Sequence, residues 1–113
     1  MNAWVRDWLQ AFAITAVIEA LVAVPLLARA DPHLGRRLGA VLLVNLATHP
    51  LVWFLFPGIS APYPLRVALS EAWALAAETA GYCIIWPNLR RRAFTISFLA
   101  NAASFIIGLL VHR

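Results

Sequence analysis

The chain has 113 residues, of which 63% are apolar and only 12% carry a formal charge. A soluble domain is about 45–50% apolar and about 25% charged, so this chain has roughly half the charge that a water-exposed surface needs. The composition therefore excludes an ordinary soluble domain. It also excludes disorder, because so much apolar surface can be buried. We predict an integral membrane protein in which residues 1–113 form a single transmembrane domain.

Four apolar runs are long enough to cross a bilayer as helices, since about 20 residues are needed for a hydrocarbon core of roughly 30 Å. The predicted spans are residues 8–28, 38–56, 65–86 and 93–111. The connections between them are short and contain proline or glycine, which interrupt helices. Short connections place successive helices side by side and antiparallel. The predicted fold class is therefore all-α, an integral membrane four-helix bundle with antiparallel neighbours.

The nine basic residues are all arginines, and the formal net charge is +4. Six of them lie in the first and third connections: Arg29, Arg36, Arg37, Arg90, Arg91 and Arg92. Only Arg6, Arg66 and Arg113 lie elsewhere. Cytoplasmic loops accumulate Lys and Arg, so this distribution predicts that both termini lie outside the cytoplasm. We interpret the arginines as topology determinants, with the lipid bilayer as partner and no nucleic acid.

The first apolar run is expected to be retained in the protein. Its end, Ala28-Arg29-Ala30, has the A-x-A form of a signal-peptide cleavage site. The run is longer than the apolar core of a signal peptide, however, and it carries Glu19 near its centre. We therefore expect a membrane span and not a cleaved leader.

Three glutamates, Glu19, Glu71 and Glu78, are the only acidic residues within the four predicted spans. An ionised carboxylate at the middle of a bilayer costs at least a few kcal/mol, and no basic residue lies deep enough to pair with them. They are therefore predicted to face the interior of the bundle, where they are protonated, hydrogen-bonded or neutralised by a bound cation. Together with His49 they are the predicted ion- or proton-binding residues.

Helical spacing predicts further polar side chains on the inward faces, since residues three and four apart share a face. The predicted supporting residues are Asn45, Thr48, Asn101 and Ser104. Pro50 is predicted to be a hinge, because it cannot donate the helical hydrogen bond to the carbonyl of Leu46. That carbonyl is an additional ligand or proton acceptor in one interpretation, and part of a simple kink in the other.

The second and fourth spans resemble each other. Leu43-Val44-Asn45-Leu46-Ala47-Thr48 aligns with Leu99-Ala100-Asn101-Ala102-Ala103-Ser104, and an arginine lies nine residues before each asparagine. The match indicates a repeat of two helical hairpins about an axis along the membrane normal, an arrangement that some transporters use. The abundance of Ala and Leu accounts for part of the match.

Three functions stay open at this point. In the first, the Glu/His/Asn core handles a proton or small cation, in transport or coupling. In the second, the polar core holds the helices of a non-catalytic accessory or scaffold subunit together, in a homodimer or a larger membrane complex. In the third, Glu71, Glu78 and His49 bind a metal within the membrane. No known catalytic motif is present, so the sequence favours a non-enzymatic role and assigns no cofactor.

Three motifs together resemble a loose group of small four-span bacterial membrane proteins. They are N-x-x-T-H-P from Asn45, E-x6-E from Glu71 to Glu78, and N-x-x-S-x-x-x-G from Asn101 to Gly108. The resemblance implies a shared polar core and a bacterial inner membrane, and it implies no substrate. The chain is also similar in size and span number to the small multidrug transporters, which have a glutamate in their first helix. Their surrounding motifs are not present here, so we do not assign the chain to them.

Overall fold

The structure, a computed structural model, describes residues 2–55 and 58–111. Within these ranges the chain forms four α-helices and no β-strand, which confirms the predicted all-α class. We number the helices α1 (Ala3–Leu26), α2 (Leu34–Phe54), α3 (Tyr63–Ile85) and α4 (Arg91–Val111). Phe56, at the predicted end of the second span, and Arg113, one of the predicted topology determinants, lie outside the described residues.

Polar residues and prolines set the ends of the helices. The Asn2 side chain caps α1 by accepting a hydrogen bond from the backbone N–H of Val5 at 2.8 Å. At its other end α1 passes into a short 3₁₀ turn, Leu27–Arg29, just after Pro25. Pro64 occupies the first turn of α3, where no helical hydrogen bond is lost. Each helix begins two to five residues before the start of its predicted membrane span.

The helices form a ring in which each packs against its neighbours in sequence and α4 returns to α1. The short connections make these neighbours antiparallel, so α1 and α3 lie diagonally across the bundle from each other. The bundle measures 40 × 27 × 24 Å. Its long dimension is close to the thickness of a bilayer with its headgroup regions, about 40–45 Å.

Three of the described helices are long and apolar enough to cross a membrane: Ala3–Arg29, Leu34–Phe54 and Arg91–Leu110. Apolar side chains cover the outside of the bundle, and its interior contains carboxyl groups beside an apolar core. Leu21 is 72% exposed and Ile84 is 79% exposed, whereas Glu19 and Glu78 are each 1% exposed. An apolar outer surface around buried carboxyl groups suits a hydrocarbon surrounding.

The helix α3 does not reach the same apolarity, because Glu71 and Glu78 lower its mean hydropathy. A helix with two carboxyl groups fits a bilayer only where they face the interior of the bundle. Glu78 is buried and Glu71 is half-buried, while Leu69 and Ile84 on the same helix are exposed. The polar face of α3 is thus turned toward the other helices.

The apolar core lies in the half of the bundle that ends at the α1–α2 and α3–α4 connections. Its largest members are Val24, Leu27, Val41, Val44, Tyr82, Trp86, Leu89 and Ile96. Helices α2 and α3 are in close contact here, because a Cβ atom at Gly81 would lie only 2.7 Å from Cγ1 of Val44. We call this half the closed half.

Asp31 joins the two connections at the end of the closed half. It is buried, and its Oδ2 accepts a hydrogen bond from the indole Nε1 of Trp86 at 3.3 Å. Its Oδ1 accepts from the backbone N–H of His33 at 2.9 Å, and Arg36 lies at 3.7 Å from the carboxylate. The backbone hydrogen bond from His33 is the main cause that holds the pKa of Asp31 below its ordinary value of 3.8. An ionised Asp31 therefore ties the α1–α2 connection to the end of α3.

Candidate functional site

Glu19 and Glu78 meet at the centre of the bundle, although they come from diagonally opposite helices. The hydroxyl of Ser104 donates to Oε2 of Glu19 at 3.1 Å. The side-chain amide of Asn101 donates to Oε1 of Glu78 at 3.0 Å. The two carboxyl groups are also close enough to interact with each other. Helix α4 thus supplies one donor to each member of a buried carboxyl pair.

Several buried polar atoms around this pair make no hydrogen bond to the described residues. One is Oε1 of Glu19, the second oxygen of that carboxyl group. Others are the hydroxyls of Tyr82, one helical turn after Glu78, and of Ser97, one turn before Asn101. A buried polar atom without a partner costs about 1–3 kcal/mol. Oε1 of Glu19 can therefore accept a further hydrogen bond, such as one from a protonated Glu78 carboxyl group.

Asn45 and Asn101, the aligned asparagines of α2 and α4, make the same local hydrogen bonds. The amide of Asn45 donates to the carbonyl oxygen of Val41 at 2.8 Å, and that of Asn101 donates to the carbonyl oxygen of Ser97 at 2.7 Å. The hydroxyls three residues later each lie within hydrogen-bond distance of the carbonyl oxygen of the preceding asparagine. Thr48 lies closer to the carbonyl oxygen of Val44, at 3.0 Å, whereas Ser104 shares its one proton between Asn101 and Glu19. The two helices therefore share a local structure as well as a sequence pattern.

A cavity of about 580 Å³ lies above the carboxyl pair. Its lining comes from Trp4 to Glu19 of α1, Asn45 to Trp53 of α2, Tyr63 to Glu78 of α3 and Asn101 to Leu109 of α4. These stretches all belong to the half of the bundle that contains the start of α1, the α2–α3 connection and the end of α4. We call it the open half, and the Glu19–Glu78 pair lies at its floor, next to the closed half.

Glu71 occupies a different position from the other two glutamates. It is half-buried and lines the cavity about two helical turns from Glu78. It also lines a second cavity of about 250 Å³ between α3 and α4. The structure therefore brings Glu19 and Glu78 together and places Glu71 on the wall above them.

His49 lies among aromatic side chains. Its Nδ1 accepts a hydrogen bond from the indole Nε1 of Trp8 at 3.1 Å. Its ring stacks on Trp53, with centroids 6.5 Å apart, and contacts the edge of Phe12 at 5.5 Å. His49 lines the same cavity as the glutamates, so it contributes to the wall of the open half while its hydrogen-bonding partner is an indole.

Pro50 lies inside α2, which continues through it to Phe54. Next to it, the carbonyl oxygen of Thr48 accepts a hydrogen bond from the indole Nε1 of Trp73 at 3.4 Å. This bond connects α3 to α2 beside the proline, whereas the carbonyl oxygen that loses its helical partner at Pro50 is that of Leu46. The hinge role of Pro50 stays a prediction.

The described residues contain no group of three His, Cys, Asp or Glu side chains that could hold a metal ion. The candidate ligands Glu71, Glu78 and His49 are therefore not assembled into one coordination site. His49 is engaged by Trp8, and Glu78 by Asn101.

Three features of the site were not anticipated from the sequence. Tyr82 lies four residues after Glu78, and this spacing, which places both on one face of α3, was the signal available in the sequence. Trp8 donates to His49 and Trp53 stacks on its ring, contacts that no sequence pattern indicates. The partner of Asp31, Trp86, is too distant in sequence for any local pattern to reveal.

No family model, curated protein or solved structure matches this chain. The function must therefore be argued from the chemistry of the site itself, since a four-helix bundle is compatible with many functions.

Proposed function

We propose that this chain is a small polytopic membrane protein whose Glu19–Glu78 pair binds and releases a proton or a small cation. The observation that carries the proposal is the close approach of two buried carboxyl groups, for which the described part of the chain provides no basic partner at the pair. Two carboxylates in one buried site repel each other strongly, so a stable pair holds a proton or a positive ion between them. Asn101 and Ser104 donate hydrogen bonds that orient the pair.

The shape of the bundle supports access to the pair from one side. The cavity leads to Glu19 and Glu78 through the open half, whereas Leu27, Val41 and Tyr82 are fully buried in the closed half. Transport across the bundle would require the closed half to open, and coupling to another process would not. In both transport and coupling, the Glu19–Glu78 pair would exchange its proton or cation with the solution through the open half.

The distribution of arginines supports an orientation for this access. The closed half ends at the two arginine-rich connections, and the open half ends near the chain termini. By the positive-inside rule the closed end faces the cytoplasm. We accordingly propose that all four helices span a bacterial inner membrane, with both termini and the mouth of the cavity outside the cytoplasm.

The matching hydrogen bonds of Asn45 and Asn101 support a two-hairpin repeat, in which α1–α2 and α3–α4 are the equivalent units. Each hairpin contributes one glutamate of the pair. Ion sites at the interface between two repeats are common in transporters.

Replacing Glu78 with glutamine tests the proposal, because glutamine keeps the shape of the side chain and removes its ionisation. We expect the full chain in liposomes to exchange protons, Na⁺ or K⁺ across the membrane, and Glu78→Gln and Glu19→Gln to lower that rate at least about tenfold. The matched control is Thr95→Val, at an exposed position in α4. Equal rates for wild type and for folded Glu78→Gln and Glu19→Gln would overturn the proposal.

A second candidate function, helix–helix attachment in an accessory subunit, is favoured by one observation. The hydrogen bonds of Asn101 and Ser104 to the glutamates each connect two different helices, and bonds of this kind stabilise membrane bundles. This function predicts that the Glu→Gln variants leave ion exchange unchanged and that other chains co-purify in a fixed ratio.

A further inference from the structure

The cavity in the open half has the size of a site for an organic molecule. Its volume of about 580 Å³ lies within the range of small-molecule pockets, about 300–1,000 Å³. A proton or a single dehydrated metal ion needs far less space. The walls carry the aromatic rings of Trp4, Trp53, Tyr63 and Phe105, which offer contact area to an apolar body.

The charges that line this cavity favour a cation. Its titratable side chains are Glu19, Glu71, Glu78, His49, Tyr63 and Arg66. Arg66 lies at the start of α3, with its guanidinium 5.9 Å from the ring centroid of Tyr63. The floor is formed by Glu19 and Glu78, and Oε1 of Glu19 is buried there without a hydrogen bond to the described residues. An acidic floor beneath aromatic walls attracts a positively charged ligand, to which the rings also contribute cation–π attraction.

The second cavity lies beside this site, between α3 and α4. Its apolar lining consists of Ala72, Leu75, Phe98, Ala102 and Phe105. Phe98 is 52% exposed on the surface that would face lipid. Glu71 and Asn101 line both cavities. The apolar lining beside Glu71 therefore offers further contact area to an apolar group of a ligand.

We propose that the cavity of the open half binds a monovalent lipophilic organic cation. The Glu19–Glu78 pair compensates its charge, and Trp4, Trp53 and Tyr63 contact its apolar groups. The inference rests on the proposed function and deepens it by naming the ligand class. In the absence of the cation both carboxyl groups of the pair are protonated and the pair is neutral. Binding of the cation displaces one of these protons to the solvent, and the resulting carboxylate compensates the charge of the cation.

Tetraphenylphosphonium is a suitable probe, and tetraphenylborate is a matched anion of the same shape. We expect the purified full chain in detergent to bind tetraphenylphosphonium saturably in a calorimetric titration and to release a proton as it does so. Glu19→Gln and Glu78→Gln are expected to weaken this binding about tenfold or more, since each removes a charge from the floor. Tetraphenylborate is expected not to bind saturably.

A pair of glycine variants locates the binding. A Cβ atom at Gly108 would meet nothing within 4 Å, and Gly108 lines the cavity. Leucine at this position fills part of the cavity, so Gly108→Leu is expected to abolish tetraphenylphosphonium binding. Gly39→Leu is the matched control, because Gly39 is exposed and also has open space around it but lies in the closed half.

The outcomes separate this inference from the proposed function. If tetraphenylphosphonium does not bind, or binds equally to the wild type, Glu78→Gln and Gly108→Leu, the organic-cation site is wrong. In that case a loss of proton or inorganic-cation exchange in the Glu78→Gln and Glu19→Gln liposomes still supports the proposed function. If both the binding and the exchange are independent of Glu19 and Glu78, both proposals are wrong.

Discussion

Gly81 of α3 faces Val44 of α2 with no room for a side chain, so alanine at this position should force the two helices apart. A Cβ atom there would lie 2.7 Å from Cγ1 of Val44, whereas ordinary contacts begin at 3.4 Å. Val44 cannot rotate away easily, because a valine in a helix has one strongly preferred rotamer. The backbones must therefore separate by several tenths of an ångström.

The expected cost follows from two opposing effects. Overpacking a tight contact lowers the free energy of unfolding by about 1–3 kcal/mol. Replacing glycine with alanine inside a helix raises it by about 0.8–1 kcal/mol. We expect Gly81→Ala to lower the free energy of unfolding by up to about 2 kcal/mol. Gly39→Ala, where a Cβ meets nothing within 4 Å, should instead raise it by up to about 1 kcal/mol.

Reversible unfolding of the purified chain in mixed micelles, followed by circular dichroism, measures both variants. Adding Val44→Ala to Gly81→Ala removes the clashing methyl group, and the double-mutant cycle should show a favourable coupling of about 0.5–3 kcal/mol. If Gly81→Ala proves as stabilising as Gly39→Ala, or if the coupling is zero, the described packing of α2 against α3 is wrong.

Two further predictions concern the closed end and the topology. The pKa of Asp31 in the folded protein lies below its ordinary value of 3.8, so the stabilising effect of the ionised carboxylate is complete above that pH and is lost as the pH falls further. The difference in unfolding free energy between wild type and Asp31→Asn should therefore shrink below about pH 3.8. A constant difference from pH 2 to pH 7 would contradict this prediction. The topology can be tested with single cysteines in a Cys83→Ala background and a membrane-impermeant maleimide. Ser60→Cys, in the α2–α3 connection, should react in intact cells, whereas His33→Cys, in the α1–α2 connection, should react only after permeabilisation. The opposite pattern would reverse the proposed orientation.

The helices and the inward direction of the glutamates could be predicted from the sequence, because both follow from local rules. Apolar runs of about 20 residues predict membrane helices, and a carboxyl group within such a run must face the interior. The structure places Glu19 and Glu78 in the interior, each with a donor from the N-x-x-S pattern of α4. The spacing of these residues along each helix was enough to place them on inward faces.

The partners across the bundle could not be predicted, because they depend on how far each helix is shifted and rotated against the next. Glu71 and Glu78 lie on the same helix, yet it is Glu78 that accepts the hydrogen bond from Asn101. His49 has the residue type of a ligand, and the rotation of α1 places Trp8 against it. The separation of the interior into a packed closed half and an open half with a cavity likewise results from side-chain volumes in three dimensions.

The central claim is that the Glu19–Glu78 pair takes up and releases a proton or a cation. Infrared difference spectroscopy of the full chain in liposomes, recorded between low and high pH and with or without added cation, measures this directly through the carboxyl C=O band. We predict a band from a protonated carboxyl group that changes with pH or cation and is lost in both Glu78→Gln and Glu19→Gln, while Thr95→Val retains it. A spectrum in which the band is unchanged by pH and cation, or is the same in the wild type and the two glutamine variants, would contradict the account.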